Sequence, residues 1–309
     1  MPSLSAHLIT FIMRWVKNAG LLNMPSQAQR QHAQGSAERP IRAPRGVSIR
    51  PVGADGVPCE WVEPREAVAD CVVLYLHGGG YVTGSPETHR GLVTRIALSA
   101  GCRALVVDYR LAPEHPFPAA LEDALTAYHF LLQQGYAPQK IVIGGDSAGG
   151  GLSLATAVSL RDQNQPLPAA LFLLSPWTDL TLSGESLHTC AWRDPFLSPE
   201  IGESLAEAYA AHTPRTHPYL SPLFADQTGL PPTLIQVGSE EILFDDSARL
   251  EERMKQAGVT VQLEVWEGMW HVFHEFAPYV PEAQQAIERI GRFVRQTLGL
   301  PEHPQGEKK

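Results

Sequence analysis

A GxSxG motif is the strongest chemical signal in the sequence. It reads Gly145-Asp146-Ser147-Ala148-Gly149 and lies between an apolar run at 140–143 and a helical pattern. A sharp turn from strand to helix holds such a serine in strained backbone geometry and exposes its hydroxyl, and the flanking glycines avoid clashes at that turn. The motif therefore predicts that Ser147 is a nucleophile. Neither a GxxxxGK nor a GxGxxG pattern accompanies it, which argues against a nucleotide site.

A second cluster of glycines, His77-Gly78-Gly79-Gly80, follows directly on the apolar run 71–76. Bare backbone N–H groups in such a loop are the donors that an acyl-transfer enzyme needs around a developing oxyanion. The N–H of Ala148, at the start of the helix, adds another donor. We therefore predict an oxyanion hole at Gly78, Gly79, Gly80 and Ala148, in which Gly79, Gly80 and Ala148 are the favoured donors and His77 holds the loop.

A serine nucleophile needs a histidine base downstream, and six histidines follow Ser147. Four of them lie in a long irregular connection or in the tail, where a base would be poorly held: His188, His212, His217 and His303. His271 and His274 come just after a predicted strand. His271 is favoured because it sits in a short turn with apolar flanks. A zinc site at His271, His274 and Glu275 is disfavoured, since the HExxH pattern is missing.

The carboxylate that orients the base is expected after the apolar run 233–237. Four candidates occur there: Glu240, Glu241, Asp245 and Asp246. Asp245 or Asp246 is explained by capping of the following helix. Glu240 and Glu241 lie nearer the strand end, and the composition does not separate them.

Eight short apolar or β-branched runs predict the strands that must position these residues. The runs are 47–52, 57–62, 71–76, 104–107, 140–143, 169–174, 233–237 and 259–265. Helical patterns occur at 88–100, 118–133, 147–163, 245–257 and 282–298. Strands alternating with helices are typical of a mostly parallel sheet covered on both faces, so the fold class is predicted as α/β. The first two runs predict an antiparallel hairpin at one edge.

One stretch interrupts this alternation. Between Leu180 and Gly229 no strand is predicted, only a helix near 200–211 among proline-rich connections. A long excursion inside a compact domain is usually functional, so we predict a cap over the carboxyl ends of the strands. The predicted organisation is an N-terminal cap segment and linker at 1–46, a catalytic domain at 47–300 with a cap insertion at about 180–229, and a polar tail at 301–309.

The N-terminal segment carries apolar residues at helical spacing: Leu8, Phe11, Ile12, Trp15 and Val16. It is too short to span a bilayer and lacks the pattern of a signal peptide, so a stable membrane anchor is not predicted. We expect its apolar face to pack on the body of the protein, with a membrane-surface helix or a flap over the site as alternatives. We expect the final helix to pack on the sheet. Exposed parts of this helix or the last strand could also form a homodimer, and the sequence does not decide this.

The composition excludes several classes of protein. The chain has 309 residues, of which 44% are hydrophobic, so it can bury a large core and is neither disordered nor a disulfide-stapled miniprotein. A net charge of -9 with scattered Lys and Arg argues against a nucleic-acid partner. Four widely spaced cysteines without a CxxC pair predict buried free thiols in the cytoplasm: Cys59, Cys71, Cys102 and Cys190.

Together the motifs resemble the hormone-sensitive-lipase-like family of α/β-hydrolases, which includes many bacterial carboxylesterases. The resemblance rests on the segments 77–80, 108–114 (DYRLAPE), 144–150 and 241–247, and on His271. In that family the acid segment commonly reads D-P-L-R-D-E, and its first residue orients the histidine. Here the sequence E-I-L-F-D-D falls on it, so the resemblance implies that Glu241 is the acid, with Glu where Asp is usual.

The resemblance implies an α/β-hydrolase fold with a helical cap and a serine carboxylesterase acting on small acyl esters of short to medium chain length. Ser147, His271 and Glu241 would form the triad, no metal or organic cofactor is required, and the segment 108–114 would be structural. An amidase or peptidase on the same triad and a non-catalytic ligand-binding homologue are the alternatives. Five aromatic residues are available to line an acyl pocket or to fill the core of the cap: Trp177, Trp192, Phe196, Tyr209 and Tyr219.

Overall fold

The computed structural model describes residues 2–18 and 46–301 and contains one eight-stranded sheet. Its strands are β1 (Val47–Ala54), β2 (Val57–Pro64), β3 (Val68–Leu76), β4 (Cys102–Val107), β5 (Ile141–Asp146), β6 (Ala170–Leu174), β7 (Thr233–Gly238) and β8 (Val261–Trp266). They lie in the order β1-β2-β4-β3-β5-β6-β7-β8. β2 runs antiparallel to β1 and β4, and all other neighbours are parallel. The predicted α/β fold with a mostly parallel sheet is confirmed.

Helices cover both faces of this sheet. They are α1 (Leu4–Asn18), α2 (Pro86–Ala100), α3 (Ala119–Gln133), α4 (Ala148–Asp162), α5 (Ser186–Thr189), α6 (Pro199–Ala210), α7 (Phe244–Gln256) and α8 (Pro281–Leu298). One hydrophobic core lies between the sheet and α3, α4 and α7, and the other lies between the sheet, α2 and α8. The final helix packs on the body of the protein through Ile287, Ile290 and Val294, as expected.

The edge hairpin forms where it was predicted, with a shorter turn. β1 continues through Gly53, and only Asp55 and Gly56 form the turn, with φ angles of 49° and 95°. Two successive residues with positive φ are typical of a type I′ turn, whose twist matches that of the flanking strands.

The central strands place the chemical motifs at one edge. Leu76 at the end of β3 pairs with Gly145 of β5, and Asp146 pairs with Leu174 at the end of β6. Each of these strands is fully buried near its end, as the continuous apolar runs of a parallel sheet require. The loop that begins at His77, the Ser147 turn and the segment after Leu174 therefore meet at the carboxyl edge of the sheet.

The segment from Leu180 to Gly229 is described throughout and contains no strand. It holds α5, α6 and a 3-10 turn at Pro222–Phe224. Helix α1 is attached to this segment, because Lys17 Nζ donates to the carbonyl oxygens of Ala191 (3.1 Å) and Asp194 (2.7 Å), and Arg14 Nε donates to that of Arg193 (2.8 Å). The two segments predicted to form a cap are thus in contact.

The expected packing of α1 is wrong. Its apolar stripe points outward: Leu8, Phe11, Ile12 and Trp15 are all exposed, and Phe11 is 71% exposed. Ala6 on the opposite side is buried in the core. The rotation of the helix is fixed by polar anchors, namely the Arg14 and Lys17 bonds and a hydrogen bond from Ser3 Oγ to Glu282 (2.9 Å). None of the described helices is long and apolar enough to cross a membrane.

Some sequence predictions lie outside the described residues. These are the helix end and linker at 25–46, apart from Gly46, and the polar tail at 301–309, apart from Pro301. The four cysteines are all described, and they are free and buried, as predicted.

Candidate active site

Ser147 occupies a strained turn between β5 and α4. Its backbone has φ 53° and ψ -122°, outside the regions that a serine normally adopts. A Cβ atom on Gly149 would lie 2.0 Å from the Leu76 carbonyl oxygen, and one on Gly145 would lie 2.4 Å from that of Gly149. Only glycine permits this close approach of turn, helix and neighbouring strand. The GxSxG segment therefore forms the predicted sharp turn between strand and helix.

His271 lies between the serine and a carboxylate. Its Nε2 is 2.9 Å from Ser147 Oγ, and its Nδ1 is 2.8 Å from Glu241 Oε2. All three side chains are buried. With the Nδ1 proton donated to the carboxylate, Nε2 faces the hydroxyl with its lone pair and can accept the hydroxyl proton.

The basicity of His271 is set by two opposing effects. Burial lowers the pKa of the imidazole, but the hydrogen bond that the ring donates to Glu241 and the negative charge of that carboxylate outweigh burial, so the pKa lies above the ordinary value of 6.5. A raised pKa favours proton transfer from the serine hydroxyl to the ring.

Of the four carboxylates considered from sequence, Glu241 is the one that contacts His271. Its other oxygen, Oε1, accepts hydrogen bonds from the Gly238 N–H (2.6 Å) and from Ser175 Oγ (2.8 Å). Glu240, its neighbour, points away and pairs with Arg14 (3.4 Å) and Arg193 (3.3 Å). The two candidates that the sequence left open are thus in different environments.

Asp245 and Asp246 do not cap α7, so this expectation is wrong. The residue that precedes α7 is Leu243, and no side chain caps the helix. Asp246 Oδ2 accepts from the backbone N–H groups of Thr178 (2.7 Å) and Asp179 (2.8 Å), and Asp245 accepts from that of Ser186 (2.8 Å). Burial raises the pKa of Asp246 to about 7. Both carboxylates therefore hold the start of the 180–229 segment.

Ser175 is a site residue that the sequence reasoning missed. Its hydroxyl donates to Glu241 and accepts from the Val272 N–H (3.1 Å), so it ties the acid to the loop that carries His271. The available signal was its place as the first residue after β6, at the sheet edge where Ser147 also lies.

The glycine loop after β3 corrects one of the predicted oxyanion donors. The N–H of Gly78 donates to Asp146 Oδ1 (3.0 Å), so Gly78 is not available to an oxyanion. A Cβ atom there would lie 2.1 Å from Asp146 Oδ2, which explains why glycine occupies the position. Within the described part of the chain, the N–H groups of Gly79 and Gly80 have no protein acceptor, and Ala148 begins α4, where N–H groups are unpaired.

A cavity of about 530 Å³ opens onto these groups. The core contributes Ser147, His271 and the glycine loop to its wall, and the 180–229 segment contributes apolar side chains: Leu182, Phe196, Leu197, Ile201 and Leu205. A largely apolar cavity with a few convergent polar groups is the usual form of a small-molecule site.

Comparison with known proteins identifies the family. A family model described as "alpha/beta hydrolase fold" matches residues 73–275. The chain is 47% identical over 240 residues to an acetyl-hydrolase of Streptomyces hygroscopicus, a match that covers 78% of this chain and 80% of that protein. An esterase crystal structure from the bacterial hormone-sensitive lipase family superposes with a TM-score of 0.90 at 45% identity, covering 97% of this chain and 100% of the other. The chain is a hormone-sensitive-lipase-like carboxylesterase of the α/β-hydrolase superfamily.

Further relatives agree with this membership. An esterase of Acinetobacter venetianus is 42% identical over 249 residues, covering 80% of this chain and 82% of the relative. The enzyme is therefore a carboxylic ester hydrolase, and its substrates are small-molecule esters.

Two other histidines of the carboxylesterase, His77 and His274, serve the scaffold. His77 stacks on Tyr109 with ring centroids 4.2 Å apart, and its Nδ1 is 2.8 Å from the Gly78 carbonyl oxygen. Tyr109, in the 108–114 segment, donates to the His77 carbonyl oxygen (2.6 Å). His274 contacts Gln236 (2.9 Å) and so does not join His271 in a zinc site. His89 lies close to two carboxylates, with its Nε2 3.5 Å from Asp146 Oδ2 and 3.9 Å from Glu275 Oε1.

The five aromatic residues considered for the acyl pocket lie in different environments in the carboxylesterase. Trp177 and Phe196 line the cavity. Tyr209 is buried and stacks on Tyr81 at 3.7 Å, whereas Trp192 is 74% exposed. Tyr219 is half-buried and donates to Asp162 (3.0 Å).

Proposed function

We propose that the enzyme hydrolyses acyl esters of short to medium chain length through an acyl-enzyme on Ser147. His271 acts as the base and Glu241 as the acid that orients it. The observation that supports this most strongly is the continuous chain of contacts from Ser147 Oγ through His271 to Glu241, at 2.9 and 2.8 Å.

In the first half of the reaction, Ser147 Oγ attacks the ester carbonyl carbon while His271 Nε2 takes the hydroxyl proton. The carbonyl oxygen gains negative charge and accepts hydrogen bonds from the N–H groups of Gly79, Gly80 and Ala148. Glu241 stabilises the imidazolium. His271 then gives its proton to the leaving alkoxide, the carbon–oxygen bond to the alcohol breaks, and Ser147 carries the acyl group.

In the second half, water attacks the acyl-enzyme. His271 removes a proton from the water, the same three N–H groups hold the second oxyanion, and the proton returns to Ser147 Oγ as the acid product leaves. Every proton has a donor and an acceptor within the triad, so no further group is needed to complete the cycle.

The chain-length proposal rests on the segments over the site. We propose that α1 and the 180–229 segment act as a cap, because residues from the latter line the cavity directly opposite the glycine loop. Leu205 of α6 lies close to Gly80: a Cβ atom added to Gly80 would be 2.6 Å from Leu205 Cδ1. Leu205 therefore bounds the cavity of about 530 Å³ on this side, and this boundary supports a limit on the length of the acyl chain.

Hydrolysis of p-nitrophenyl butyrate by the wild type and by Ser147→Ala tests the nucleophile. We expect the variant to lose nearly all activity while keeping the thermal stability of the wild type. Undiminished turnover in folded Ser147→Ala would overturn the proposal.

A comparison of tributyrin with triolein tests the chain length. We expect tributyrin to be cleaved faster, since its acyl chains fit below the cap segment. Faster cleavage of triolein would contradict a short-chain preference and leave the triad assignment untouched.

We also propose a cytoplasmic location. The four buried free cysteines support it, because thiols persist in a reducing compartment. Fractionation of the native host, with esterase activity followed in each fraction, tests this proposal, and activity confined to the medium would contradict it.

A further inference from the structure

A buried carboxylate lies beneath the glycine loop and takes no part in the triad. Asp146 is 2% exposed, precedes the nucleophile and lines the cavity. Its Oδ1 accepts hydrogen bonds from the Gly78 N–H (3.0 Å) and from Tyr75 Oη (2.7 Å). Gly78 directly precedes Gly79 and Gly80, the proposed oxyanion donors. The hydrogen bond from Gly78 to Asp146 therefore fixes the start of the loop that carries these donors.

The other oxygen of Asp146 faces a histidine on α2. His89 Nε2 lies 3.5 Å from Asp146 Oδ2 and 3.9 Å from Glu275 Oε1. The opposite ring nitrogen, Nδ1, is 3.1 Å from the Ser85 carbonyl oxygen and 2.8 Å from Thr88 Oγ1. Since the carbonyl and both carboxylates only accept, a ring with protons on both nitrogens satisfies these neighbours.

We propose that His89 is a positioning residue: as an imidazolium it holds the Asp146 carboxylate, which in turn anchors Gly78 and so aligns the oxyanion donors Gly79 and Gly80. This inference rests on the proposed oxyanion hole. It adds a role for the sequence around His89, which the triad does not use.

The charge of His89 also matters for the transition state. Asp146 lies next to Ser147, where negative charge develops during attack, and an uncompensated carboxylate at that place disfavours the oxyanion. The imidazolium cancels the carboxylate charge in the buried site. Without it, Asp146 would be an unpaired buried charge, which is costly and drives the carboxylate to reorient or take up a proton.

The groups around His89 favour the charged ring. Burial lowers the pKa of His89, but the charge of Asp146, its hydrogen bond and the charge of Glu275 outweigh burial and raise the pKa to about 9. The neighbouring ring of His77 is neutral at physiological pH, because burial lowers its pKa to about 3. Burial raises the pKa of Asp146. The charge and hydrogen bond of His89, together with Tyr75 and His77, outweigh burial, so the pKa lies below its ordinary value.

A double-mutant cycle with His89→Gln and Asp146→Asn tests the proposal. Glutamine keeps a donor near Asp146 but removes the charge. We expect His89→Gln to lower kcat for p-nitrophenyl butyrate by about tenfold, with KM changed less than about twofold, because only the transition state uses the oxyanion donors. In the Asp146→Asn background the same substitution should change kcat less than about twofold, since His89 acts through that carboxylate.

The pH profile gives a second readout. His89 supports catalysis only when it is protonated. Above the acid limb set by His271, kcat of the wild type should therefore be retained up to about pH 9 and fall as the pH rises through about 9. His89→Gln should lack this alkaline limb. Folding of each variant is checked by circular dichroism and by its melting temperature.

Equal losses from His89→Gln in both backgrounds, a loss confined to KM, or an unchanged alkaline limb would each overturn the positioning role. Ser147→Ala, assayed in parallel, separates the proposals: an inactive Ser147→Ala with fully active His89→Gln contradicts this inference alone.

Discussion

The two walls of the active-site cavity are built differently. On the core side, each group of the proposed triad is held by polar contacts from strand-end loops, and Glu241 alone has three partners: His271, Gly238 and Ser175. On the other side, the 180–229 segment offers mainly apolar side chains to the cavity, and its polar contacts include those with α1 and α7. From this contrast we propose that the core performs the chemistry and that the 180–229 segment selects the acyl group. Substitutions on the two walls should therefore change different kinetic quantities.

The largest effect on the core side is expected from Glu241→Gln. An amide cannot stabilise the imidazolium and favours the wrong tautomer of His271, so kcat should fall about 10³- to 10⁴-fold for every ester. The matched control is Glu240→Gln, which changes the adjacent residue and removes two partly exposed ion pairs, to Arg14 and Arg193. Steady-state kinetics with p-nitrophenyl acetate and octanoate measure both variants. Equal losses at the two positions would refute the assignment of the acid.

On the cap side, Gly202→Leu should change selectivity. Gly202 lines the cavity on α6, and a Cβ atom there meets only the Leu182 side chain at 3.4 Å. The added side chain narrows the cavity, so kcat/KM should fall about tenfold or more for p-nitrophenyl octanoate and little for acetate. Gly91→Leu, on α2 in open space, is the control. Both helices gain helix propensity, so a loss of folding does not confound the result.

An equal loss of kcat/KM for p-nitrophenyl acetate and octanoate in Gly202→Leu would contradict the proposal that the two walls have separate roles. It would mean that α6 positions the catalytic groups as well as the acyl chain.

A smaller effect is expected at the link between the acid and the base. Ser175→Ala removes the hydroxyl that bonds both Glu241 and the Val272 N–H, so kcat should fall about three- to tenfold. Ser247→Ala is the control, because Ser247 Oγ is buried without a hydrogen-bond partner among the described residues. If both variants kept full activity, the hydroxyl of Ser175 would have no part in orienting the triad.

The last prediction concerns the acid limb of the pH profile. His271 accepts a proton only when neutral, and its pKa is raised above 6.5. Activity should therefore be retained at alkaline pH and fall as the pH drops through that pKa, so half of kcat/KM is lost at a pH above 6.5. A profile of kcat/KM from pH 5 to 8 checks this. A midpoint below 6.5 would contradict the dominance of Glu241 over burial.

Much of the core wall followed from the sequence because local patterns determine it. Runs such as 71–76 and 140–143 are almost entirely apolar, so the sequence predicts their place in a parallel sheet. The GxSxG turn needs its glycines because a Cβ atom at either position would clash with neighbouring backbone. The approximate positions of Ser147 and His271 followed from those strands.

Contacts between segments distant in the chain could not be read in the same way. Gly78 looked like another oxyanion donor, but its N–H meets Asp146, which is 68 residues away. The apolar stripe of α1 predicted burial, and anchors to Arg193 and Glu282 turned it outward. Ser175 carries no motif. In each case the outcome depends on which distant group lies opposite, and a single sequence does not contain that information.

The most direct test of the proposed mechanism is to trap the acyl-enzyme. Wild-type protein mixed with p-nitrophenyl butyrate and quenched with acid during turnover is digested, and the peptides are sequenced by mass spectrometry. The mechanism predicts one butyryl group on Ser147, with no adduct and almost no hydrolysis in Ser147→Ala. A butyryl group on another residue of the wild type, or turnover that persists in Ser147→Ala, would contradict it.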